Sequence, residues 1–74
     1  MGVRHFQKLS RRFAQAIRAR RLEMGLTQEA LAEAARVSIR HYQLIEAGKS
    51  NPTLRSMLGI ADALNLRLSD IFSE

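Results

Sequence analysis

Arg40, Gln43 and Leu44 fall within the run IRHYQLIEA, and at helical spacing they share one side. A guanidinium can give two parallel hydrogen bonds to a pair of acceptors. A carboxamide can donate to one atom and accept from its neighbour. Leucine adds an apolar surface. These are the chemistries that tell base pairs apart in the major groove of double-stranded DNA. Arg40 matches guanine O6 and N7, Gln43 matches adenine N6 and N7, and Leu44 with Ala47 suits a thymine methyl. Plainer uses exist: Arg40 on phosphate alone, Gln43 in solvent or on phosphate. Ile39 either packs at the start of the run or touches a thymine methyl. His41, on a flank, is a surface group or a phosphate contact.

The elements that must hold these residues can be read from caps and breakers. Phe6, Leu9, Phe13 and Ile17 follow helical spacing, so a first helix starts near Phe6, or at Ser10 as an N-cap, and runs to Met24 before Gly25. Residues 1–9 are expected to be an arm and residues 10–74 the folded domain. Thr27 caps a second helix whose inner face, Leu31, Ala32 and Ala35, is narrow enough for close helix–helix approach. After the turn Arg36-Val37-Ser38, Ser38 caps the third helix, which turns Tyr42, Ile45 and Glu46 to one side and ends at Gly48. Lys49-Ser50-Asn51-Pro52 is a polar loop. Thr53 caps a fourth helix over 54–64, Asn65 stops it, and Ser69 caps a last turn over 70–72. No alternating run suggests a strand.

Composition narrows the function. A chain of 74 residues makes one small domain. With no cysteine and only His5 and His41, it has neither a disulfide scaffold nor a thiolate metal site, and no metal or other cofactor is expected. No paired carboxylates, no nucleophile with a base and no glycine-rich phosphate loop point to catalysis. No apolar run is long enough to span a membrane, so a soluble cytoplasmic protein is expected. The net charge of +5 is unevenly spread. Residues 1–21 carry seven bases and no acid, whereas residues 22–74 carry five bases and seven acids. Such a block suits an anionic partner, or a solvated helix face. Arg4 and Lys8 would lie on the arm.

Thr27-Gln28, Leu31-Ala32, Val37-Ser38, Ile45-Glu46, Gly48-Lys49, Asn51-Pro52-Thr53-Leu54, Ile60-Ala61 and Ala63-Leu64, in this order and spacing, resemble the XRE-type (phage-repressor/Cro-like) helix-turn-helix family. The resemblance spans about residues 13–72. It implies an all-α, lambda-repressor-like bundle of five helices, with the third in the major groove and the second across the backbone. It makes Gln28 and the loop Lys49, Ser50 and Asn51 backbone contacts; with the chemistry above, Ile39, Arg40, Gln43 and Leu44 are the expected base contacts, and Ser38 and His41 further backbone contacts. Gln28 would meet phosphate at the positive end of its helix. Arg21 and Glu46 both fall inward, and the resemblance pairs them as a partly buried salt bridge.

Three residues depart from the family pattern. Arg36 stands where glycine is usual, Tyr42 where a smaller aliphatic residue is usual, and Asn65 where glycine is common. The expected function is a DNA-binding transcriptional regulator, a repressor in the simplest case. It would work as a homodimer on half-sites about 34–36 Å apart. The dimer interface is expected at the C-terminal end, from Ile60, Leu66, Leu68, Ile71 and Phe72, unless these residues only close the monomer core. The alternative is an antitoxin, or another protein-interaction module of this fold, with a partner protein.

Overall fold

The computed structural model describes the backbone of residues 3–72 and the side chains of residues 7–72. Five helices follow in order: α1 Val3–Glu23, α2 Gln28–Ala35, α3 Ile39–Glu46, α4 Leu54–Ala63 and α5 Leu68–Phe72. No strand occurs among the described residues. The class is all-α, as the patterning implies.

A hydroxyl opens each of the three middle helices. Thr27, Ser38 and Thr53 hold extended backbone and accept hydrogen bonds from the N–H groups of Ala30, His41 and Ser56 at 3.0, 3.1 and 3.0 Å. Each bond satisfies a donor that the first helical turn leaves without a partner. The endings are left-handed residues: Gly25 and Gly48, but also Arg36 at φ 61° and Asn65 at φ 56°. Beyond Arg36, the Val37 N–H reaches back to the Ala32 carbonyl at 3.0 Å, so the tight turn satisfies the end of α2.

The start of α1 differs from the expected arm. Residues 3–9 form the first turns of α1, continuous with the rest; residues 1–2 and the Arg4 side chain lie outside what is described. Ser10, considered as a cap, sits inside the helix instead. It is buried and donates to Asn51 Oδ1 at 2.8 Å, tying α1 to the loop before α4. A serine whose hydroxyl is used by a distant loop does not cap its own helix. The last helix begins at Leu68, two residues before the expected turn. The Arg67 N–H approaches Asp70 Oδ2 at 3.4 Å at its start.

The core is built from Phe13, Ile17, Leu31, Tyr42, Ile45, Ile60 and Leu64, each with at most 1% of its surface exposed. Phe13 of α1 stacks on Phe72 of α5 with ring centroids 6.2 Å apart. On α4, Gly59 lies so close to α2 that a Cβ there would sit 2.9 Å from the Ala35 carbonyl oxygen. The alanine stripe of α2 therefore allows close approach, and the backbone of α2 contacts α4 at a residue without a side chain.

Two residues expected at a dimer interface are consumed in this core. Ile60 is 0% exposed and Ile71 is 8% exposed. The monomer interior takes both, and helical spacing does not separate that role from an external one. Leu66, Leu68 and Phe72 are half-buried and pack against the same cluster. The exposed leucines of α4 are instead Leu54 and Leu58, one turn apart.

Candidate nucleic-acid interface

α3 is only eight residues long, and its burial divides it cleanly. Tyr42 and Ile45 are buried, and the Glu46 side chain is 6% exposed. The opposite side presents Ile39, Arg40, Gln43 and Leu44, all exposed, with Ala47 just beyond the last turn. The groups that could read base edges are thus together on one face. His41 is half-buried beside them.

What holds that face is a carboxylate with four donor contacts. Arg21 Nε donates to Glu46 Oε1 at 2.8 Å and Nη2 to Oε2 at 3.1 Å, the two-point geometry that a guanidinium fork favours. The Tyr42 hydroxyl donates to Oε1 at 2.5 Å, and Gln28 Nε2 donates to Oε2 at 2.8 Å. The remaining Arg21 nitrogen, Nη1, reaches the Leu26 carbonyl at 2.8 Å. Glu46 of α3 therefore joins α1 to α2, and Arg21 adds a bond to the link between them.

The electrostatics agree with this geometry. Burial alone would raise the Glu46 carboxyl, but hydrogen bonds from Arg21, Tyr42 and Gln28 outweigh it and hold the group below the usual carboxylate range. The same hydrogen bond to Glu46 raises Arg21 against the opposing effect of its burial. Tyr42 is raised well above its ordinary value by burial first, and then by its bond to the carboxylate. The aromatic residue that departs from the family pattern is thus part of the clamp, its hydroxyl turned inward. The four-residue spacing of Tyr42 and Glu46 was the available sign.

Gln28 stands at the first position of α2, as expected, with two side-chain bonds the sequence did not suggest. One goes inward to Glu46, and the other comes from Gln43 Nε2 to Gln28 Oε1 at 3.3 Å. Lys49, Ser50 and Asn51 follow α3 in a loop shaped by the Lys49 N–H bond to the Leu44 carbonyl, 2.9 Å. Lys49 is exposed, Ser50 is half-buried, and Asn51 accepts from Ser10. Ser38 spends its hydroxyl on the cap.

Sequence reasoning missed Arg11. Its Cγ lies 3.6 Å from where a Gly48 Cβ would be, so the stem of this exposed α1 base passes beside Gly48. Nothing in the local sequence marks this; the neighbouring Ser10 meets the same loop at Asn51. Other bases of α1 have internal duties. Arg21 is in the clamp, and Arg20 Nε donates to the Leu64 carbonyl at 3.0 Å. The basic block is therefore not a uniform solvated face.

A family model described as Helix-turn-helix covers residues 17–71, from the middle of α1 to the end of α5. The chain belongs to the XRE-type helix-turn-helix family. Within it, the chain is 41% identical over 56 residues to an uncharacterized HTH-type transcriptional regulator of Archaeoglobus fulgidus. That match spans 76% of this chain and 80% of the relative. As in the family pattern, an arginine of the first helix pairs with a glutamate of the third, while Arg36 keeps a left-handed turn without glycine. No helix among the described residues is long and apolar enough to cross a membrane, and no group of metal-ligating side chains comes together among them.

Proposed function

We propose that this chain is a sequence-specific regulator of transcription that binds double-stranded DNA with α3 in the major groove. One observation carries the reading: α3 is anchored from inside through Glu46, while Arg40, Gln43 and Leu44 stand outward together. Arg40 reads guanine, Gln43 reads adenine, and Leu44 with Ile39 meets thymine methyls. Lys49, Ser50, Asn51, Ser38, His41 and the first turn of α2 at Gln28 hold the phosphates, and Arg11 extends that strip along α1. The protein acts as a homodimer in the cytoplasm and represses by occupying a palindromic operator. Leu66, Leu68 and Phe72 supply the pairing surface, since each keeps part of its area outside the core.

The test is selection from random duplexes, followed by binding at two salt concentrations. An enriched palindrome with strongly salt-dependent affinity supports the proposal. A pool with no enriched sequence overturns it.

A second reading has one observation in its favour. Leu54 and Leu58 of α4 are 62% and 51% exposed, one turn apart on that helix. In an antitoxin, or another protein-interaction module of this fold, such a pair would meet a partner protein. A dimer that leaves both leucines accessible to solvent, together with no enriched duplex, would favour this reading over the first.

A further inference from the structure

The carboxylate of Glu46 imposes a direction on its neighbours. A carboxylate can only accept, so the Gln28 amide must turn its nitrogen toward it, as the 2.8 Å contact has it. The Gln28 oxygen is thereby aimed outward at Gln43. An oxygen there can meet only the nitrogen of the Gln43 amide, and Nε2 donates to it at 3.3 Å. Two carboxamides, each free in principle to flip, are thus set by one buried charge. Among the described residues, the Gln43 oxygen and its second N–H make no other bond.

We propose that Gln28 is a positioning residue for base reading, and that the Glu46 carboxylate, acting through Gln28, decides which base Gln43 accepts. The inference rests on the reading of α3 as the helix in the major groove. With its oxygen turned to the groove, Gln43 needs a base that offers an N–H. Adenine N6 and cytosine N4 do so; guanine and thymine offer acceptors there. The second N–H of Gln43 then fits adenine N7, so adenine is favoured over cytosine. Without Gln28 the Gln43 amide rotates freely and can offer either end.

The experiment compares the wild type with Gln28→Met, which keeps the length and removes both amide atoms, and with Gln43→Ala. Each is selected on random duplexes, and competition binding then ranks the four bases at each operator position. The wild type should prefer adenine to guanine at one position by roughly tenfold, and Gln28→Met should reduce this to about twofold. Preference at the position read by Arg40 should stay as it was. Gln43→Ala should abolish preference at the same position that Gln28→Met blurs. A Gln28→Met protein that binds all duplexes more weakly but keeps its adenine preference overturns the inference, because Gln28 then serves only a phosphate. If Gln43→Ala alters no base preference, the reading of α3 fails first and takes the inference with it. Gln28→Ala is the second variant, should the methionine form melt early.

Discussion

Arg21 of α1 and Glu46 of α3, 25 residues apart in the chain, meet in a two-point ion pair with contacts of 2.8 and 3.1 Å. Both side chains are almost out of solvent, at 10% and 6% exposure. A surface pair would contribute little, but a buried pair that loses one member leaves a charge without compensation.

Arg21→Ala or Glu46→Ala should therefore each cost about 3–5 kcal/mol. For so small a domain this approaches the whole stability. Urea denaturation followed by helical circular dichroism measures it. The double replacement Arg21→Met with Glu46→Leu should recover only part of the loss, because Tyr42 and Gln28 would keep donors facing an apolar group. Full recovery would mean that these two donors contribute nothing.

Tyr42 gives the protein an alkaline limit. Its folded-state pKa is raised by burial and by its bond to Glu46, above the ordinary value of 10.0. A raised acid favours folding while it stays protonated. Its contribution is complete below the ordinary value, and shrinks as pH climbs from there through the folded value. Glu46 sets the acid side. Its pKa is lowered from 4.5, so its contribution is present above that value and is lost as pH falls through the folded one. Melting curves across pH should show both declines. Tyr42→Phe should flatten the alkaline one; an unchanged alkaline slope in that variant would contradict the role given to the hydroxyl.

Gly59 should resist even one carbon. A Cβ would lie 2.9 Å from the Ala35 carbonyl oxygen, and backbone cannot move aside as a side-chain tip can. Gly59→Ala would normally gain from helix propensity, but here it should destabilise by roughly 1–3 kcal/mol as α2 and α4 are forced apart. Chemical denaturation decides the sign, and a gain in stability would show that the two helices separate freely.

Arg36 runs the other way. It holds φ 61° and ψ 40° at the end of α2, a conformation that costs a side-chain-bearing residue on the order of 1 kcal/mol. Arg36→Gly should raise the melting temperature by roughly 4–8 °C if that strain is fully released. A lower melting temperature would place the guanidinium among stabilising groups.

Binding measurements separate base contacts from backbone contacts. Arg40→Ala should relax preference at one base pair, by about 1–3 kcal/mol of discrimination. Lys49→Ala and Arg11→Ala should weaken every sequence alike, and each should lower the salt slope by about one. If all three variants behave identically, the division between the faces of α3 and the loop is wrong.

Much of this architecture could be read in the chain, because its signals are local. Thr27, Ser38 and Thr53 each sit directly before an apolar-periodic run, and Gly25 and Gly48 end theirs. Arg21 could be assigned to Glu46 because both fall inward at helical spacing and the family resemblance pairs these two positions. What escaped depends on contacts between distant segments. Ser10 looks like a cap until Asn51 arrives from the other side of the domain. Arg11 looks like one base among seven until the fold sets its stem beside Gly48. Ile60 and Ile71 carry the same apolar pattern whether they close a monomer or join two, and only the packed interior assigns them. Gln28 has no sequence signal for its inward bond, since a glutamine after a cap is already a good helix residue.

The division of α3 has a consequence for how such a protein can change. Tyr42, Ile45 and Glu46 fasten the helix, and their side chains are buried. Ile39, Arg40 and Leu44 lie on the other face, outside the buried clamp. If α3 reads DNA as proposed, substitutions there should exchange one target sequence for another while the clamp stays as it is. Gln43 is the exception, being linked to Gln28. A new preference at that position requires a matching change at the start of α2, so those two residues should drift as a pair and the other three independently.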